Sequence, residues 1–165
     1  MPEQRYWLMK SEPDEVSIDD ALAAPQQTIC WFGVRNYQAR NFMRDQMQVG
    51  DGVLFYHSSC ATPGIAGVAE IVSTTYPDPT QFNPDSPYFD AKSSATSSTS
   101  LSSKAPRWLA LDVRATRKTR LVTLQELRAE PALADLQLLA RGNRLSVLPI
   151  SQKHWDIILA KLSAT

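Results

Sequence analysis

Apolar residues along this chain fall in short bursts whose spacing switches between strand-like runs and a three-to-four-residue step. The first burst, "RYWLMKS" (5–11), reads as a strand. It stops at Glu12-Pro13, because proline offers no ladder donor and holds the residue before it extended. "SIDDALAAP" (17–25) reads as a short helix, with Ser17 as N-cap, Asp20 three residues on and Pro25 as terminator. "QTICWF" (27–32) is β-prone. From Asn36 the step turns helical: Ala39, Phe42, Met43 and Met47 make an apolar face, with Tyr37, Arg40, Asn41 and Arg44 opposite. "VGDGVLFYHS" (49–58) is a turn and a strand and "GIAGVAEIV" (64–72) another strand, which predicts a hairpin across "SSCATPG".

Beyond Val72 the pattern loosens. "YPDPTQFNPDSPYFD" (76–90) holds four prolines among its rings, which predicts an ordered surface loop. "AKSSATSSTSLSSKAP" (91–106) is too polar to offset its ordering entropy and reads as a mobile loop, at about 91–105, inside one domain. "RWLALDVRATRK" (107–118) returns to a strand with Leu109, Leu111 and Val113 on one face. Two short helices, "TLQELRAEP" and "ALADLQLLAR", are broken at Pro131, and "RLSVLPI" (144–150) is a last strand. "SQKHWDIILAKL" closes the pattern as an amphipathic helix with Trp155, Ile158, Leu159 and Leu162 on one stripe. Five or six short strands and short helices without βαβ alternation predict an α+β domain around a small barrel or curved sheet, spanning residues 1–165.

Composition narrows the function classes. The 165 residues carry 17 basic and 17 acidic side chains, so no global field draws the chain to nucleic acid or anionic membrane. Any nucleic-acid role must rest on a local pocket. Cys30 and Cys60 lack metal-ligand spacing and read as free thiols in a reducing compartment; no metal and no cofactor is expected. The N-terminal stretch lacks a signal-peptide pattern and no run is long enough to span a bilayer, which predicts a cytoplasmic protein with no membrane partner. A monomer suffices for every feature read here.

Signatures of hydrolases, nucleotide-phosphate loops and zinc proteases are absent. His57 and Cys60 could form a nucleophile pair, or His57 could serve as a general base, but nothing in the sequence marks either as activated. A binding pocket fits better. A splayed-out base needs an aromatic face and polar groups for its edge. Trp31 offers the face, Ser11, Asn36 and Ser58 the edge contacts, and Lys10, Arg35, Arg40 and Arg44 the phosphate contacts. Each has a plainer alternative: Trp31 as core, Arg40 and Arg44 as a solvated helix face, His57 as a satisfied polar residue. Likewise Tyr76, Phe82, Tyr88 and Phe89 can pin their loop or form a protein-interaction surface.

"YWLMKSEP" (6–13), "WFGVRNYQARNFMR" (31–44), "FYHS" (55–58), "PGIAGVAEIV" (63–72), "YPDPTQF" (76–82) and "RLSVLPI" (144–150) together resemble the EVE domain family, in order and over nearly the whole chain. The resemblance implies a PUA-like fold, a small, curved β-barrel of five to six strands decorated by short helices and related to YTH, ASCH and SRA domains. It also implies a non-catalytic reader of a modified base in DNA or RNA. Carried over by position, the pocket comprises Lys10, Ser11 and Glu12, then Trp31, Val34, Arg35 and Asn36, then Tyr56, His57 and Ser58, with Arg40 and Arg44 on flanking phosphates. In YTH domains a Lys-Ser pair stands at the first site and a cage tryptophan at the place of Trp31. Phe32 departs from the acidic or small polar residue found in many members, and the serine-rich stretch at 93–103 is longer than a minimal connector.

Overall fold

The computed structural model describes residues 4–93 and 107–163. From residue 94 onward the serine-rich stretch lies outside them, and with it the expectation of mobility there. The described residues form seven strands and four α-helices in the order β1 (Tyr6–Ser11), α1 (Ile18–Ala23), β2 (Thr28–Trp31), α2 (Tyr37–Asp45), β3 (Gly52–His57), β4 (Gly64–Ile71), β5 (Tyr76–Pro77), β6 (Leu109–Thr123), α3 (Leu124–Arg128), β7 (Val147–Ile150) and α4 (Gln152–Ser163).

Side-chain patterning decides which strands lie inside. β3 is buried from Gly52 to Tyr56, and most of β4 is buried with it, so these two take the middle of the sheet. The order is β2-β6-β4-β3-β1-β7, with β5 paired to the start of β6. Only β1 and β3 run parallel; the other pairs are antiparallel. A parallel pair needs a long crossover, and α1, β2 and α2 fill the one between β1 and β3. Register shifts at Phe55/Tyr56, Ile65/Gly67 and Val68/Ala69 add the local bends that bulges impose. β2 and β7 end the ladder and do not pair with each other. Pro149 has no N–H to offer a further strand, which suits β7 to an edge.

The core gathers Trp7, Leu8 and Met9 of β1, Phe55 of β3, Leu111 and Val113 of β6, and Met43 of α2. α4 lays Trp155, Ile158 and Leu162 into it, with Leu159 half-buried. Trp155 stacks on Tyr6 at 4.3 Å, and its ring passes so close to Gly52 that a Cβ there would lie 2.7 Å away. Glycine is therefore required at that strand start.

The structure departs from the spacing argument in three places. There are seven strands, not five or six, because two residues of the proline-rich segment, Tyr76 and Pro77, pair with Leu109 and Ala110. β6 runs on to Thr123 because β4 supplies a partner as far as Gly64. Residues 132–141 form no α-helix, only 3₁₀ turns at Pro131–Leu133 and Gln137–Leu139. Leu133, Leu136 and Leu138 are all buried, and residues two apart sit about 200° apart on an α-helix, so no continuous helix could bury all three.

Candidate functional site

A cavity of about 370 Å³ opens where the free edge of β2 and the approach to β7 face one another across the end of β1. That size lies within the roughly 300–1,000 Å³ of ordinary ligand pockets. Lys10 and Ser11 close its base, and the turn after β1 contributes Glu12, Glu15 and Val16. β2 and the residues after it form a wall of Ile29, Cys30, Trp31 and Gly33, and Arg144 and Ser146 stand opposite. The turn holds its shape because Glu15 and Val16 both donate backbone N–H to the Glu12 carbonyl, while the Ser11 hydroxyl donates to Val16 O at 2.6 Å.

Trp31 is at once core and wall. Only 5% of it is exposed, and it meets Phe55 edge-to-face at 5.2 Å. The indole is fixed in place, and it presents a narrow strip to the cavity instead of an open stacking face. Lys10 is half-buried, and burial lowers its ammonium pKa; its nitrogen stands 5.9 Å from the centre of the Tyr56 ring. Cys30 is also half-buried, and burial raises its thiol pKa, which keeps it protonated and unreactive as a nucleophile.

The wall beyond Trp31 is built by contact with the proline-rich loop. Asp78, fully buried, accepts from Gly33 N at 2.7 Å and from Arg35 Nη1 at 3.0 Å. Arg35 also donates to the Tyr88 carbonyl at 2.7 and 3.1 Å and to Thr80 Oγ1 at 3.0 Å, with the rings of Tyr88 and Trp108 each 5.4 Å from its guanidinium carbon. Tyr88 lies against Gly33, where a Cβ would meet its ring at 2.9 Å and where φ is +86°. Its hydroxyl donates to the Glu15 carboxylate, which joins the loop to the turn after β1. Burial, then this bond, raises the Tyr88 pKa.

Lys10, Ser11, Glu12, Trp31, Val34 and Ser58 therefore meet around one cavity. The remaining expected residues do other work. Arg35 is locked to Asp78. Asn36 caps α2 by accepting from Ala39 N at 3.0 Å and does not line the cavity. Tyr56 is 3% exposed and belongs to the core. His57 Nε2 accepts from Ile18 N at 3.1 Å and so serves the start of α1; burial lowers its pKa. A ring nitrogen already holding a backbone N–H is poorly placed as a general base. Arg40 reaches Arg107 O and Asn41, and Arg44 pairs with Asp45; neither lines the cavity. Sequence reasoning missed Glu15, Tyr88, Arg144 and Ser146. Arg144 and Ser146 lie in the "RLSVLPI" block that carried the family resemblance, whereas Tyr88 was placed only as a ring of its loop.

The EVE domain model matches residues 5–161. The chain belongs to the EVE domain family. Thymocyte nuclear protein 1 from human, a relative of the same family, is 41% identical over 173 residues, an alignment covering 94% of this chain and 72% of the human one. A crystal structure of a Pseudomonas syringae protein superposes with a TM-score of 0.85 at 46% identity, covering 94% of this EVE domain and 98% of that chain. The human protein has been crystallised in complex with DNA containing 5-methylcytosine; that structure has a TM-score of 0.85 at 39% identity and covers 98% of this chain and 99% of the other. An ASCH protein of Zymomonas mobilis shares the fold at 8% identity, with a TM-score of 0.55. The vertebrate relatives are named nuclear proteins, which gives no support to the cytoplasmic placement expected from the sequence. Among the described residues no helix is long and apolar enough to cross a membrane.

Proposed function

We propose that this EVE domain is a non-catalytic DNA-binding module that takes a modified cytosine, of the 5-methylcytosine type, into the cavity between β1, β2 and the approach to β7. The observation that carries this reading is the cavity itself, bounded by Trp31 and polar groups, in a chain that superposes on a relative crystallised with 5-methylcytosine DNA. A base can enter only after leaving its stack, which costs a few kcal/mol, and enclosure by aromatic and polar walls offsets that cost. Lys10, Ser11, Glu12 and Ser58 supply donors and acceptors of both kinds, and Glu12 matches the exocyclic amine of cytosine in type. Trp31 and Val34 supply the apolar contact that a 5-methyl group seeks. On this reading the sheet is an unclosed form of the PUA-like barrel, and the cavity takes the place of the missing β2–β7 seam.

The test uses duplexes identical except for one cytosine, unmodified or 5-methylated, and the matching RNA. Trp31→Ala is an unsuitable control, because truncating a buried tryptophan costs about 3–5 kcal/mol of stability. Ser58→Trp fills the cavity from its rim instead. The wild type should prefer the methylated duplex, and Ser58→Trp should abolish that preference while its melting temperature without DNA stays within a few degrees. Equal binding of both duplexes would refute the reading, and a preference for the RNA would reassign it.

A further inference from the structure

A captured base brings its own phosphates to the cavity rim, and the arginines expected to hold them are engaged elsewhere, Arg35 with Asp78 as described above. Arg40 donates to Arg107 O at 3.0 Å and to Asn41, and lies over the Tyr37 ring; Arg44 makes a two-point pair with Asp45. Arg144 differs on each count. It lines the cavity, it is exposed, and among the described residues its side chain has no ion pair or hydrogen bond. The turn presenting it is held by its neighbours. Asn143 N donates to Ala140 O, Asn143 Nδ2 to Gln137 O and Leu145 N to Asn143 Oδ1, with Leu145 buried and Gly142 at φ +79°. Ser146 O accepts from Lys10 N at 2.8 Å, which ties this turn to the cavity base.

The rest of the rim favours the same side. Glu12 and Glu15 stand on the turn after β1, and a phosphate beside them would meet like charge. We propose that Arg144 holds the phosphate flanking the captured base, so that the strand runs along the 140–146 turn and not along the outer face of α2. This rests on the reading of the cavity as a base-binding site. A guanidinium carried on a fixed turn can grip a phosphate through two parallel N–H···O bonds without any rearrangement of that turn.

The test is a titration by fluorescence anisotropy of methylated and unmethylated duplexes at salt concentrations from roughly 50 to 200 mM. It compares wild type, Arg144→Gln, Arg144→Lys and Arg44→Gln. Losing one phosphate contact lowers the magnitude of the log K against log salt slope by about 0.9. Arg144→Gln should show that change, bind both duplexes about tenfold more weakly and keep their affinity ratio, as loss of a charge-assisted phosphate contact does. Arg144→Lys should keep the slope, and Arg44→Gln should match wild type. A wild-type slope in Arg144→Gln, or a lost methyl preference with unchanged slope, would overturn the proposal while the base-binding reading stands. No preference for the methylated duplex in the wild type would bring down both.

Discussion

Asp78 has no exposed surface, yet it accepts hydrogen bonds from Gly33 N, Arg35 Nη1, Thr80 N and Thr80 Oγ1. Its charge and the Arg35 guanidinium hold each other, and Arg35 in turn binds the Tyr88 carbonyl that brings the loop onto Gly33. Removing one member of a buried pair leaves the other charge uncompensated and costs about 3–5 kcal/mol. Asp78→Ala should therefore lower the unfolding free energy by that amount in urea titrations, and Asp78→Asn, which retains one acceptor, by less. A loss below about 1 kcal/mol in Asp78→Ala would mean the pair behaves as an exposed one. Gly33 makes a second prediction at this scale. An alanine there must adopt a left-handed backbone and also push the Tyr88 ring, so Gly33→Ala should cost about 1–3 kcal/mol. Gly33→Ala with Tyr88→Ala should recover the steric part, and a double-mutant cycle reads it as a coupling energy. Additive losses would show that the ring does not press on residue 33.

At the scale of elements, α1 is only six residues long and depends on what holds its first turn. Ser17 and Asp20 form the reciprocal capping box, and His57, from β3, takes the Ile18 N–H. A protonated imidazole could not accept that bond. Burial accordingly lowers the His57 pKa below its ordinary 6.5, with Lys118 acting in the same direction and the carboxylates of Asp19 and Asp20 opposing it. The sign follows from linkage: a depressed histidine contributes stability that is complete above 6.5 and is lost as pH falls through its folded value. Unfolding free energy should therefore decline below pH 6.5, and His57→Gln should remove that part of the decline; a variant with the wild-type profile would acquit His57.

The elements show why some features were legible and others were not. Ser17, Asp20, Pro13 and the cap of α2 act within a few residues of themselves, so the sequence marks the end of β1 and both helix starts. The extension of β6 to Thr123 and the pairing of Tyr76 depend on strands far along the chain, and no local pattern carries them. Half of the expected site follows the same division. Lys10, Ser11 and Trp31 sit at the ends of strands that apolar runs mark in the sequence, Glu12 follows the first of them, and all four line the cavity. Arg35 looks like a ligand contact until Asp78, more than forty positions later, turns out to hold it. Residue type identifies a donor, but only the fold says who accepts.

For the whole molecule, the decisive feature is a sheet protected at its centre and open at its two ends. β3 and β4 are paired on both sides and buried, whereas among the described residues β2 and β7 each lack an outer neighbour strand. The cavity lies between those ends, so the proposed binding surface coincides with the least protected backbone. Net charge of zero suits that arrangement, because affinity concentrated in one enclosed base needs few phosphate contacts. Hydrogen exchange should show this division directly. Amides of β3 and β4 should open only with global unfolding, and outward-facing amides of β2 should exchange by local opening. Saturation with a methylated duplex should slow exchange in residues 29–34 and at Arg144 and Ser146, which line the cavity from its two sides, and leave α4 unchanged beyond any global stabilisation. Protection confined to residues 76–90 would instead point to the aromatic loop as the contact surface. Tyr76 bonds Asp112, Tyr88 packs on Gly33 and Phe32, and Phe82 is half-buried, which leaves Phe89 as the loop's exposed ring. A single ring presents too little area for a stable partner, and the expected pattern is therefore the cavity's.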